Sequence, residues 1–157
     1  MLDTTRRKAA TPIPARELGG SAYGAKIDCV FVTPWARSVA EATRALRRSG
    51  IWVHHADTIE RARAMLGLTG AKVLLAEASF RDGNWQDAVA LSEEFAPPVS
   101  VVVVTTVVDE RFWITAIENG AYDLVSRPFS SIEFAHIVEN AYSHAWALRG
   151  VHRSGSA

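Results

Sequence analysis

The run Val73-Leu74-Leu75-Ala76-Glu77 is apolar for four residues and stops on a carboxylate. A loop from Ala78 to Gly83 follows, and then an amphipathic stretch opening at Trp85. Short apolar runs bounded by turn residues read as buried strands. Three more such runs end on polar residues, at Thr33, at Thr105 and at Arg127-Pro128. In open α/β sheets, ligands and chemistry gather at the carboxyl ends of the strands. The pattern therefore predicts one crevice receiving a carboxylate, two hydroxyls and a guanidinium.

The rest of the chain alternates strand and helix signals at short intervals. Strands are predicted over residues 27–32, 51–55, 72–77, 99–105 and 122–126. The fourth is dense in valine, as expected for a fully buried parallel strand. Helices are predicted over 35–49, stopped by Gly50, and over 57–67, opened by an Asp57-x-x-Glu60 capping box. Three more follow: from Asn84 to near Phe95, over 109–119, and from Ser130 to about Leu148. Five strands alternating with five helices predict a doubly wound, five-stranded parallel sheet, an α/β fold. Residues 1–24 read as a flexible tail, 25–148 as the domain and 149–157 as a disordered polar tail.

Composition narrows the function classes. Lys+Arg and Asp+Glu are equal at 17 each, so no global charge draws the chain to nucleic acid or an acidic membrane. No apolar stretch approaches a membrane span, and Arg6-Arg7-Lys8 is not followed by the apolar core of a secretory signal. The single cysteine, Cys29, lies in an apolar run and reads as a buried hydrophobe in a reducing compartment. The expected location is cytoplasmic.

Each candidate residue also has a plainer reading. Glu77 could be a solvent-facing strand end, and Thr33-Pro34 reads equally as a helix N-cap followed by proline. Thr105 and Thr106 could merely end a strand, and Arg127-Pro128 could be an ordinary turn, with an X-Pro bond that can be cis. A single guanidinium facing a single carboxylate forms a stable, often bidentate pair. Gly67-x-x-Gly70-Ala71-Lys72 lies between helix and strand and lacks a phosphate-loop ending. His54 and His55 are adjacent in a strand, and His136 and His144 are too far apart to form a helical zinc pair, so no metal site is expected. On the 109–119 helix, Glu110, Ile114, Ile117 and Ala121 form the expected core stripe. Phe112 and Trp113 flank it, one of them exposed as a candidate interface anchor.

These residues resemble the receiver domain of response regulators, the CheY-like (flavodoxin-like) fold, over about residues 26–145. The segment from Val73 to Asn84 resembles the surroundings of the phospho-accepting aspartate, and residues 101–105 the strand ending in the switch hydroxyl. Gly120-Ala121-Tyr122-Asp123-Leu124-Val125-Ser126-Arg127-Pro128-Phe129 is similar to the family's Gly-Ala…Lys-Pro-Phe signature. The departures fall on the chemistry. The acidic pair that holds magnesium in the family corresponds to Thr33 and Pro34, the acceptor aspartate to Glu77, the lysine to Arg127, and the fifth-strand aromatic to Leu124. A proline common in the family is replaced by Arg81, and only Thr105 keeps its type.

Magnesium wants several oxygen ligands, carboxylates among them, and one carboxylate with one hydroxyl is a poor set. Without the ion, the charge of a transferring phosphoryl group is not neutralised. Glutamate also reaches one methylene further than aspartate, which disturbs in-line attack. The resemblance thus implies an atypical receiver domain in two-component or phosphorelay signalling: no enzyme, with Mg²⁺ binding lost, and phosphorylation-independent. Glu77 is expected to stand as a permanent charge paired with Arg127 within reach of Thr105, either mimicking the switched-on state or stapling the crevice. Output is expected through a protein partner (a histidine kinase, a transcription factor or another output protein) or a homodimer, since no output domain follows residue 148. The expected surface is 109–145, with Trp113, Phe112 and Leu124. The alternative is a pseudo-receiver that senses a small anionic metabolite through Arg127, Thr33 and Thr105.

Overall fold

The computed structural model describes residues 26–107 and 109–156, with side chains up to Leu148. The expected N-terminal tail lies outside the described residues. Five strands, β1 (Ile27–Val32), β2 (Ile51–Ala56), β3 (Val73–Glu77), β4 (Ser100–Thr105) and β5 (Asp123–Ser126), form one sheet in the order β2-β1-β3-β4-β5. All four neighbouring pairs are parallel, with Phe31 opposite Leu75 and Glu77 opposite Val104. The three middle strands bury residues on both faces, which is why they read as continuous apolar runs.

Five helices cover the sheet: α1 (Ala36–Leu46), α2 (Ile59–Thr69), α3 (Trp85–Ser92), α4 (Glu110–Glu118) and α5 (Ser131–Ser156). Ala62 and Leu66 of α2, Trp85 and Val89 of α3 and Ala116 of α4 pack on one face with Val30, Leu74 and Val103. Ala42 and Leu46 of α1 and Phe134, Ile137 and Val138 of α5 pack on the other with Phe31, Leu75 and Val104. The predicted architecture is the observed one. Among the described residues no helix is long and apolar enough to cross a membrane.

Four local expectations are corrected. The N-cap of α2 is Thr58, whose hydroxyl accepts the Arg61 N–H at 3.1 Å, while Asp57 pairs with the Arg61 guanidinium at 3.2 Å. The same helix runs past Gly67 and stops at Gly70, which takes the left-handed conformation that glycine adopts without penalty. The loop after Glu77 contains a small hairpin, Ser79–Phe80 with Gly83–Asn84. Its turn residue Asp82 accepts the Ile59 N–H at 3.0 Å and so helps to satisfy the start of α2. The backbone of α5 continues to Ser156, beyond the expected end near Leu148. No proline intervenes, and a glycine such as Gly150 costs only about 1 kcal/mol in a helix.

Candidate functional site: a closed carboxylate–guanidinium crevice

Three loops meet at the carboxyl edge of β1, β3 and β5, and they bring together Thr33, Glu77 and Arg127 as expected. Arg127 clamps Glu77 with two parallel bonds: Nη1 donates to Oε2 at 2.7 Å and Nη2 to Oε1 at 2.8 Å. The Thr33 hydroxyl donates to Oε1 at 2.9 Å. Both side chains are largely out of water, Glu77 at 5% exposure and Arg127 at 16%. Three donated bonds occupy most of the roughly four lone-pair positions a carboxylate offers.

The arginine is itself positioned. Its Nη2 also donates to Ser38 Oγ at 2.7 Å, and its guanidinium carbon lies 5.6 Å from the centre of the Phe129 ring. Its backbone N–H bonds the Thr105 carbonyl at 2.9 Å, and the Arg127-Pro128 peptide is cis. Ser38 was not among the sequence candidates. The available signal was its spacing, since Ser38, Ala42 and Ala45 follow at intervals of four and three and form the buried stripe of α1.

Thr33 is fully buried, and its role is not that of a helix N-cap. Trp35 occupies the cap position of α1, and the Thr33 hydroxyl accepts the Trp35 N–H at 3.3 Å while donating to Glu77. His55 Nε2 meets the Thr33 carbonyl at 2.9 Å and holds the end of β1. His54 points elsewhere, to Asp28 at 2.9 Å, as adjacent strand residues must.

The structure separates Thr105 from the pair. Its hydroxyl donates to the Val107 carbonyl at 3.1 Å and accepts the Val107 N–H at 3.3 Å, so it closes its own loop. Thr106 is exposed at the rim, and with Arg127, Pro128 and Phe129 it lines a cavity of about 490 Å³ beside α1. The expected interface residues are also rearranged. Leu124 is 7% exposed and belongs to the core. Phe112 and Trp113 are both half-buried against that core, Phe112 edge-on to Trp85 at 6.1 Å, whereas Ile114 is 40% exposed. Seating two aromatics and Ala116 buries more apolar area than a stripe containing Glu110 does, and this sets the rotation of α4.

The residues present do not fit a magnesium ion. Among the described residues Glu77 is the carboxylate bonded to Arg127 and Thr33, and both its oxygens already accept bonds. The nearby Asp57 and Asp82 serve the start of α2. Among the described residues no three His, Cys, Asp or Glu side chains form a group that could hold a metal.

No family model and no curated protein matches the sequence. Solved structures resemble its fold, and several of them are receiver domains. The response regulator receiver domain from Clostridium thermocellum superposes with a TM-score of 0.67 at 14% identity, over 78% of this chain and 98% of that one. The beryllofluoride-activated NtrC4 receiver domain dimer gives 0.66 at 20% identity, over 75% and 98%. NtrX from Brucella abortus gives 0.65 at 20% identity over 82% of this chain, which spans only 29% of the length of NtrX. The fold is that of the response-regulator receiver domains.

Proposed function

We propose that this chain is an atypical receiver domain that signals through a protein partner without being phosphorylated, and that has no enzymatic role of its own. One observation carries the reading: the carboxylate at the acceptor position is clamped bidentately by Arg127 and bonded by Thr33, with no second acid bonded to the pair among the described residues. A carboxylate whose two oxygens both already accept bonds is a poor nucleophile towards phosphorus, and a single acid at this site among the described residues is a poor lure for the Mg²⁺ that would neutralise the incoming charge. The pair ties β3 to the β5–α5 loop and, through Ser38, to α1. It therefore acts as a staple that fixes these loops in one arrangement. Mimicry of an activated state is the weaker of the two roles, because the Thr105 hydroxyl is turned to Val107.

A metabolite-sensing role has less support, because the guanidinium that would bind an anion is already neutralised by Glu77. The test is incubation with acetyl phosphate and Mg²⁺ followed by intact-protein mass spectrometry. The expected result is an unmodified chain. A stable phosphoprotein, on Glu77 or on any other carboxylate, overturns the proposal.

A further inference from the structure

The partner in that reading has a recognisable chemistry, and the inference here rests on the reading while naming it. Residues 36–49 carry Arg37, Arg44, Arg47 and Arg48 against the single acid Glu41, in a chain whose formal net charge is zero. All four arginines are exposed, and none is held in an ion pair among the described residues. Arg61, Arg63 and Arg127, by contrast, each meet a carboxylate. Arg37, Glu41 and Arg44 follow at helical intervals and so form one stripe along α1, and Arg47 and Arg48 stand in the short 3-10 turn that continues it.

This stripe borders the cavity of about 490 Å³ between α1 and the loop leading into α5, where Glu41, Arg44 and Ala45 face Thr106, Arg127 and Phe129. Around the same edge of the sheet stand three exposed apolar side chains: Trp35 at 53%, Val107 at 70% and Ile132 at 83%. Each follows the carboxyl end of a different strand, β1, β4 or β5. Exposed apolar groups beside unpaired cations mark an interface whose other side offers apolar and acidic side chains. The Glu77–Arg127 pair contributes no net charge at the centre, and Glu41 is the single acid set against the four arginines of residues 36–49. Arg37 and Arg44 are separated by about 10 Å along the helix axis, which matches carboxylates two turns apart on a facing helix.

We propose that this face docks an acidic amphipathic helix of a partner protein. Its apolar side chains rest on Trp35 and Ile132, and its carboxylates meet Arg37 and Arg44. The test uses the full chain in EDTA, without phosphodonor. A fluorescein-labelled amphipathic peptide of Glu and Leu is compared by anisotropy with a twin carrying Lys for Glu. The acidic peptide is expected to bind saturably, more weakly as salt is raised, and the twin not at all. Arg37→Glu with Arg44→Glu weakens binding about tenfold or more, Trp35→Ala weakens it several-fold, and Arg111→Glu on α4 leaves it unchanged. Failure of the acidic peptide to bind, equal binding of both peptides, an equal loss with Arg111→Glu, or tighter binding of a DNA duplex overturns the inference. So does self-association of the chain that the same reversals abolish, which assigns the face to a second copy. Peptide failure without phosphorylation sinks only this inference, and a phosphoprotein that still binds the peptide sinks only the reading beneath it.

Discussion

Replacing Arg127 with alanine leaves the Glu77 carboxylate buried with Thr33 as its remaining side-chain donor. Breaking a buried pair from one side costs about 3–5 kcal/mol, most of it from the stranded charge. Urea denaturation of Arg127→Ala should show a loss of that size, whereas Glu77→Leu with Arg127→Met should lie close to wild type. Arg127→Lys should fall between, because an ammonium cannot hold both carboxylate oxygens and Ser38 in one plane. At Gly120 the backbone has φ +106, and an added Cβ would stand 2.9 Å from Val89 Cγ1. Gly120→Ala should therefore lower stability by about 1–3 kcal/mol, read as a drop in melting temperature. Cys29 is fully buried, and burial pushes its thiol well above the ordinary range. The folded protein thus favours the protonated thiol. This contribution to stability is complete below the unfolded thiol's pKa of about 8.5 and declines as pH rises beyond it. A thiol reagent should label Cys29 only on unfolding, and Cys29→Ser should flatten the alkaline decline.

At the scale of the element, the caps decide where helices start. Asn84 accepts the N–H groups of Gln86 and Asp87, and the Asp87 side chain accepts that of Asn84, a reciprocal box. Asn84→Ala should cost about 1 kcal/mol, and Asp109→Ala at the start of α4 a similar amount, both measurable by urea denaturation. The Asn84 start was readable because that polar residue directly precedes the apolar pattern opening at Trp85, whereas Asp109 was read as the first helical residue and is the cap. The sequence misled at Asp57, where two adjacent residues could both cap and the contact from Asp82 lies 23 residues away. It misled again on α4, because two stripes one residue apart both fit helical spacing and only packing against Trp85 selects between them. For the site, Glu77, Thr33 and Arg127 were legible as polar ends of apolar runs. The turn of Thr105 towards Val107 was not, since a hydroxyl's partner depends on loop geometry that no spacing encodes.

On the scale of the whole molecule, the strand order puts β1 and β3 side by side at the centre, with β5 two strands from β3. Their loops converge on one edge, and in this chain that edge is closed by an ion pair. The proposed function requires this pair to stand where a receiver holds its metal and phosphoryl group. The most direct measurement is an amide ¹H–¹⁵N NMR titration with Mg²⁺ and then beryllofluoride, following Thr33, Glu77, Thr105 and Arg127. No saturable shifts are expected at these residues with either addition. Saturable shifts centred on Glu77 would contradict the proposed function.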